Sequence, residues 1–119
     1  MDIYQLKTLF GEEFYYEEVS LALLNFDYKN YQRLPNMALI NKMLNNLEAN
    51  TSPHLAIAAK RSNNSIWVIN GQHHALTNRA KNIETMSFFI FDSKGPDHEA
   101  IVFNKFQTLQ KAQLLGLES

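Results

Sequence analysis

The chain has 119 residues, 45% of them apolar and 19% charged, with a formal net charge of -1. That describes one globular domain able to bury an ordinary core, and it excludes a disordered chain. With no cysteine, disulfides and thiolate chemistry are excluded, and the charge lacks the basic surplus of a nucleic-acid-binding domain.

The N-terminus has no basic region followed by an apolar one, and no apolar run approaches the ~20 residues of a membrane span. The expectation is a cytoplasmic protein without a membrane partner. Ile3, Leu6, Leu9 and Phe10 stand at helical spacing, and Gly11 can stop that helix. Residues 12–25 read as a short strand near Phe14 to Tyr16 or Val19 to Leu21. Aromatics are dense from Phe10 to Tyr31. Core packing explains them at base rate, but Phe14, Tyr15, Tyr16, Phe26 and Tyr28 are also candidate anchors for a protein partner, because tyrosine is enriched at interfaces.

Residues 25–35 are polar and turn-like, and Asn36 is a plausible N-cap. Met37, Ile40, Met43, Leu44 and Leu47 then mark one helix face, which Asn50-Thr51-Ser52-Pro53 ends. Residues 55–60 and 65–69 read as a hairpin-like pair of strands around a polar turn at Arg61-Ser62-Asn63-Asn64. Gln72 to Lys81 reads as a helix with Ala75, Leu76 and Ala80 inward, and Met86 to Phe91 as a buried strand. Asp97 can cap the last helix, with Glu99 in its first turn and Ala100, Phe103, Phe106, Gln107, Gln110 and Leu114 along one side. The order implies a compact α+β or α/β domain.

The atoms able to do chemistry concentrate at the junction Asn70-Gly71-Gln72-His73-His74. Gly71 permits a close approach of ligand to backbone, and the helix that follows offers free N–H donors to a phosphate or carboxylate. Adjacent helical histidines point about 100° apart, so a metal would need further ligands from His54, His98 or a carboxylate at no fixed spacing. A turn with one packed and one exposed histidine is the commoner arrangement, and no metal site is expected. Arg33 can reach a phosphate with its planar fork, although a loop arginine is more often in a surface ion pair. His98, Glu99, Asn104 and Lys105 form a third group, in which Glu99 reads as a dipole-complementing charge. No residue is assigned a catalytic role.

The junction resembles the ParB/sulfiredoxin-like domain, in particular its DGQHR-type branch from phage and mobile elements. Ile69-Asn70-Gly71-Gln72-His73-His74 is similar to the box of that branch, Tyr31-Gln32-Arg33 to its Y-Q-R segment, and His98-Glu99-Ala100 with Phe103 and Lys111 to its late helix. The resemblance implies a single α+β domain with a small mixed sheet packed by helices, in which residues 28–115 are the core and 1–27 an aromatic-rich extension. It also implies a ligand site at Arg33, Asn70, Gly71, Gln72, His73 and His74. The sequence departs from the family where the box arginine is His74, the acid before the glycine is Asn70, a small alanine is Thr77, and an asparagine of the late helix is Gln107. Sulfiredoxin's cysteine would fall at Gln72, which excludes that chemistry.

Two functional expectations follow from the resemblance. The first is a non-catalytic, cofactor-free binding protein whose nucleotide site has decayed. It would act in the host cytoplasm like phage inhibitors of the DSR anti-defence type, which block a large host enzyme that degrades NAD. The second is a nucleotide-binding domain using Mg²⁺, with NTPase or nuclease activity. DNA binding is the weakest expectation, since the chain is slightly acidic and ends where ParB proteins continue into a helix-turn-helix region.

Overall fold

A computed structural model describes residues 2–45 and 55–114. Helix α1 (Ile3–Phe10) starts at a capping box in which Asp2 accepts from the Gln5 N–H and the Gln5 side chain accepts from the Asp2 N–H. It stops at Gly11, whose φ of 73° is left-handed. Strand β1 (Phe14–Ser20) leads through a tight turn at Leu21–Leu23 into the short β2 (Leu24–Asn25). Helix α2 (Met37–Asn45) follows, capped by Asn36 through the Leu39 N–H. Strands β3 (Ile57–Lys60) and β4 (Ile66–Asn70) form the expected hairpin, and then come α3 (Gln72–Ala80), β5 (Thr85–Asp92) and α4 (Pro96–Leu114).

The strands make one mixed sheet in the order β1-β5-β3-β4-β2. β1 runs antiparallel to β5, β5 parallel to β3, β3 antiparallel to β4, and β4 parallel to β2. A central strand covered on both faces reads as a continuous apolar run rather than an alternating one. β3 fits, with Ile57, Ala58 and Ala59 each 0% exposed. Val68, Phe88 and Ile90 pack with Ala75 of α3 on one face, and Ile57, Ile69 and Phe91 with Leu6, Phe10, Val102, Phe103 and Phe106 on the other. Each fully buried phenylalanine contributes about 1.5–3 kcal/mol. The segment 1–27 supplies β1 and β2, the two edges of this same sheet.

The sheet also corrects several local readings. Val19 and Phe14 belong to one continuous strand, and Leu21 lies in the turn after it. Met37 is exposed, and the buried residues of α2, which packs on α3, are Ile40 and Met43. On α3, Thr77 is fully buried beside Met43 and Ala80 faces outward. Asp97 sits inside the first turn of α4, which begins at Pro96, so it is a first-turn acid and not the N-cap residue. Leu47, His54, the predicted helix end at 50–53, and the predicted core limit at 115 lie outside the described residues, as do the side chains of Lys111 and Leu114.

Candidate functional site

β4 ends at the Asn70-Gly71 turn, where a φ of 96° at Gly71 swings the chain directly into α3. The loop carrying Tyr31-Gln32-Arg33 crosses in front of that turn. Between them lies an open cleft of about 650 Å³. It gathers all six predicted ligand residues, Arg33, Asn70, Gly71, Gln72, His73 and His74, together with Leu34, Leu39, Met43, Phe103, Gln107 and Gln110.

Being gathered is not the same as being available. The Asn70 amide donates to the Leu55 carbonyl. Gln72 is 6% exposed and its amide donates to the Arg33 carbonyl at 2.9 Å and to the Tyr28 hydroxyl at 3.4 Å. His73 Nε2 accepts from the Asn36 N–H at 3.0 Å, which requires the neutral ring, and burial pushes its pKa below the ordinary histidine value. Three of the six side chains are therefore committed: Gln72 and His73 hold the loop and the start of α2 against the turn, and Asn70 holds the chain entering β3. Arg33 is exposed at the cleft mouth, His74 is half-buried on its wall, and the N-terminal residues of α3 border the same space. Among the described lining residues there is no aspartate or glutamate.

The strongest electrostatic feature lies outside the cleft. Arg61, at the β3–β4 turn, donates from Nε and Nη2 to the two oxygens of Glu99, both at 2.8 Å, and from Nη2 to Asp27 at 2.8 Å. Its guanidinium stacks on Trp67 at 3.7 Å. Glu99 is 0% exposed and also accepts from Ser93 and, at 2.7 Å, from the Tyr31 hydroxyl. Burial alone would raise the Glu99 carboxyl, but the bonds from Arg61, Ser93 and Tyr31 outweigh it and hold the pKa below the ordinary value. Asp27 is lowered in the same way against its own burial, by Asn30 and Arg61. Tyr31 is pushed up, first by burial and then by Glu99. Neither Arg61, read as part of a polar turn, nor Glu99, read as a dipole charge, was predicted to have this role. Only the Asp27/Asn30 pair, three residues apart in a polar turn, carried a local signal.

The remaining predicted residues scatter. His98 bonds Glu12 through Nε2 and accepts from the Lys94 N–H through Nδ1, and Lys105 reaches the Phe10 carbonyl at 3.5 Å. Asn104 and Lys105 instead line a separate apolar groove between α1 and α4. Of the aromatic anchors, Phe14 is 5% exposed and packs edge-on against Phe10 and Phe91, so it offers no surface to a partner. Tyr15 and Phe26 are half-buried, while Tyr16 and Tyr28 are 60% and 42% exposed.

The fold is that of a ParB-like domain. Among solved structures, the chain matches the C-terminally truncated chromosome-partitioning protein ParB from Caulobacter crescentus, complexed with CTP-γ-S, with a TM-score of 0.59. The match covers 81% of this chain and 53% of that one at 8% identity, so the likeness is one of fold, and this chain corresponds to about half of that ParB. No family model matches the sequence, and no curated protein does. No helix among the described residues is long and apolar enough to cross a membrane.

Proposed function

We propose that this chain is a non-catalytic binding domain on a ParB-like scaffold, and that its cleft takes the phosphate-bearing part of a nucleotide. The observation that carries the reading is that the cleft is open, with Arg33 and the N-terminus of α3 on the same space. The ParB of similar fold is bound to a CTP analogue. Binding rather than turnover follows from how the polar groups are used. Asn70, Gln72 and His73 are committed to structural bonds, and the described lining brings no carboxylate to act as base or to hold Mg²⁺. Any Mg²⁺ would arrive on the nucleotide.

Calorimetry with CTP, ATP and GTP, with and without Mg²⁺, tests this. Binding heat with at least one nucleotide is expected, weakened roughly ten- to a hundredfold in Arg33→Ala, as loss of a charge-assisted hydrogen bond implies. Absence of heat and of any thermal shift at millimolar nucleotide overturns the ligand, and phosphate release by the wild type overturns the non-catalytic assignment.

A second reading, inhibition of a large host defence enzyme such as one degrading NAD, is favoured by the exposed Tyr16 on an edge strand and Tyr28 beside the cleft. Co-purification of one large enzyme from host lysate, lost when both tyrosines become alanine, is the expected result. Recovery of the free protein alone counts against it.

A further inference from the structure

The loop bearing Arg33 has no regular secondary structure between Asn25 and Met37, yet it forms the mouth of the cleft. Its anchors are spread along its length. Asp27 is tied to Arg61, the Tyr31 hydroxyl to Glu99, the Gln32 amide to the Val68 carbonyl at 3.1 Å, the Arg33 carbonyl to Gln72, and the Asn36 N–H to His73. The Arg33 N–H is itself held by Gln32 Oε1 at 3.2 Å. Two of these ties end on one buried knot, Arg61 with Glu99. That knot joins the β3–β4 turn to the start of α4, and neither of its residues lines the cleft.

We infer that Glu99 and Arg61, acting through Tyr31, are positioning residues for Arg33. The buried carboxylate fixes the Tyr31 hydroxyl, the Tyr31 ring rests on Phe103, and the two residues that follow are thereby set over the N-terminus of α3. Glu99 acts two residues upstream of the cation it places and never meets a ligand. The consequence for ligand affinity rests on the nucleotide reading above, whereas the placement of the loop does not.

Tyr31→Phe is the discriminating variant. It deletes one hydroxyl, keeps the ring against Phe103, and leaves Glu99 with Arg61 and Ser93, so the chain still folds. Amide hydrogen exchange is followed residue by residue without ligand, and CTP affinity is measured alongside. The Arg33 and Asn36 amides should exchange at least about tenfold faster, with Val68 and Ile90 unchanged. Phe106→Leu, which loosens the core under α4, should spread its effect over the sheet and leave Arg33 no more affected than its neighbours. If the loop loosens and CTP affinity falls by about tenfold or more, the inference stands in full. If the loop loosens while the wild type binds no CTP, the positioning role stands and the nucleotide reading falls. If Arg33 and Asn36 exchange within about twofold of wild type, or the acceleration is uniform, the inference is overturned whatever the ligand does.

Discussion

Replacing Glu99 with glutamine keeps the shape of the side chain and removes one charge from the centre of the knot. The native carboxylate takes four donors: two from Arg61 at 2.8 Å, the Tyr31 hydroxyl at 2.7 Å and Ser93. An amide has one acceptor oxygen, and its NH₂ would face at least one of those donors. Removing one partner of a buried pair costs about 3–5 kcal/mol. Arg61 keeps Asp27 at 2.8 Å, which places the loss near the lower end, about 3 kcal/mol. In a domain of this size each kcal/mol moves Tm by roughly 4 °C, so circular dichroism melts near neutral pH should show a fall of about 12 °C. Acid adds a second signature. The folded-state pKa of Glu99 is depressed, so its stabilising effect is complete above the unfolded value of about 4.3 and is lost as pH falls through the lower folded value. The gap between wild type and Glu99→Gln should therefore narrow on acidification, while Asp27 titrates in both. A neutral-pH difference below about 3 °C, or a gap that widens toward acid, would refute the assignment of Glu99 as the ionised centre of the knot.

The cleft makes three further predictions. Gly71→Ala forces a β-carbon into a φ of 96° and should destabilise the chain by about 1–2 kcal/mol; an unchanged urea midpoint would show that the turn relaxes without strain. His73 is held neutral, with its pKa depressed by burial, so its contribution is present above the unfolded value of about 6.5 and lost as pH falls through the folded one. Between about pH 7.5 and about pH 5 the wild type should lose more stability than His73→Gln, and parallel curves would deny His73 that role. His74→Arg places a permanent planar cation on the cleft wall and should tighten CTP binding roughly tenfold; a Kd within about twofold of wild type speaks against phosphate lying there.

The parts of the fold that were readable in advance are those set by neighbours in sequence. The β3–β4 hairpin, the start of α3 and the buried β5 follow from period, turn residues and β-branched runs. The Asn70-Gly71 junction was legible as the hub because only glycine sits easily at that φ. What stayed hidden depends on separation. Arg61 and Glu99 are 38 residues apart, and each looks locally like an ordinary polar residue of a turn or a helix start. The same limit explains Phe14 and Tyr16, equal in aromatic character and two residues apart on one strand. α1 lays Phe10 over Phe14 and leaves Tyr16 exposed, a distinction no period reports. At the cleft, the sequence named the residues that would meet but not that three would spend their polar atoms on the backbone of Leu55, Arg33 and Asn36.

The pairing of β1 with β5 bears on how the chain comes to be folded at all. Seven residues of β1 wait for a strand near the far end of the sequence; Glu18 and Thr85, bonded across the seam, are 67 residues apart. At a synthesis rate of roughly 5–20 residues per second, β1 leaves the ribosome about 3–13 s before its partner. During that interval an aromatic strand has no mate, and Glu17 and Glu18 give it the like charges that discourage two nascent copies from pairing with each other. β5 pairs with β3 on one side and with β1 on the other, so the seam that joins β1 to the sheet cannot close until β5 has been made.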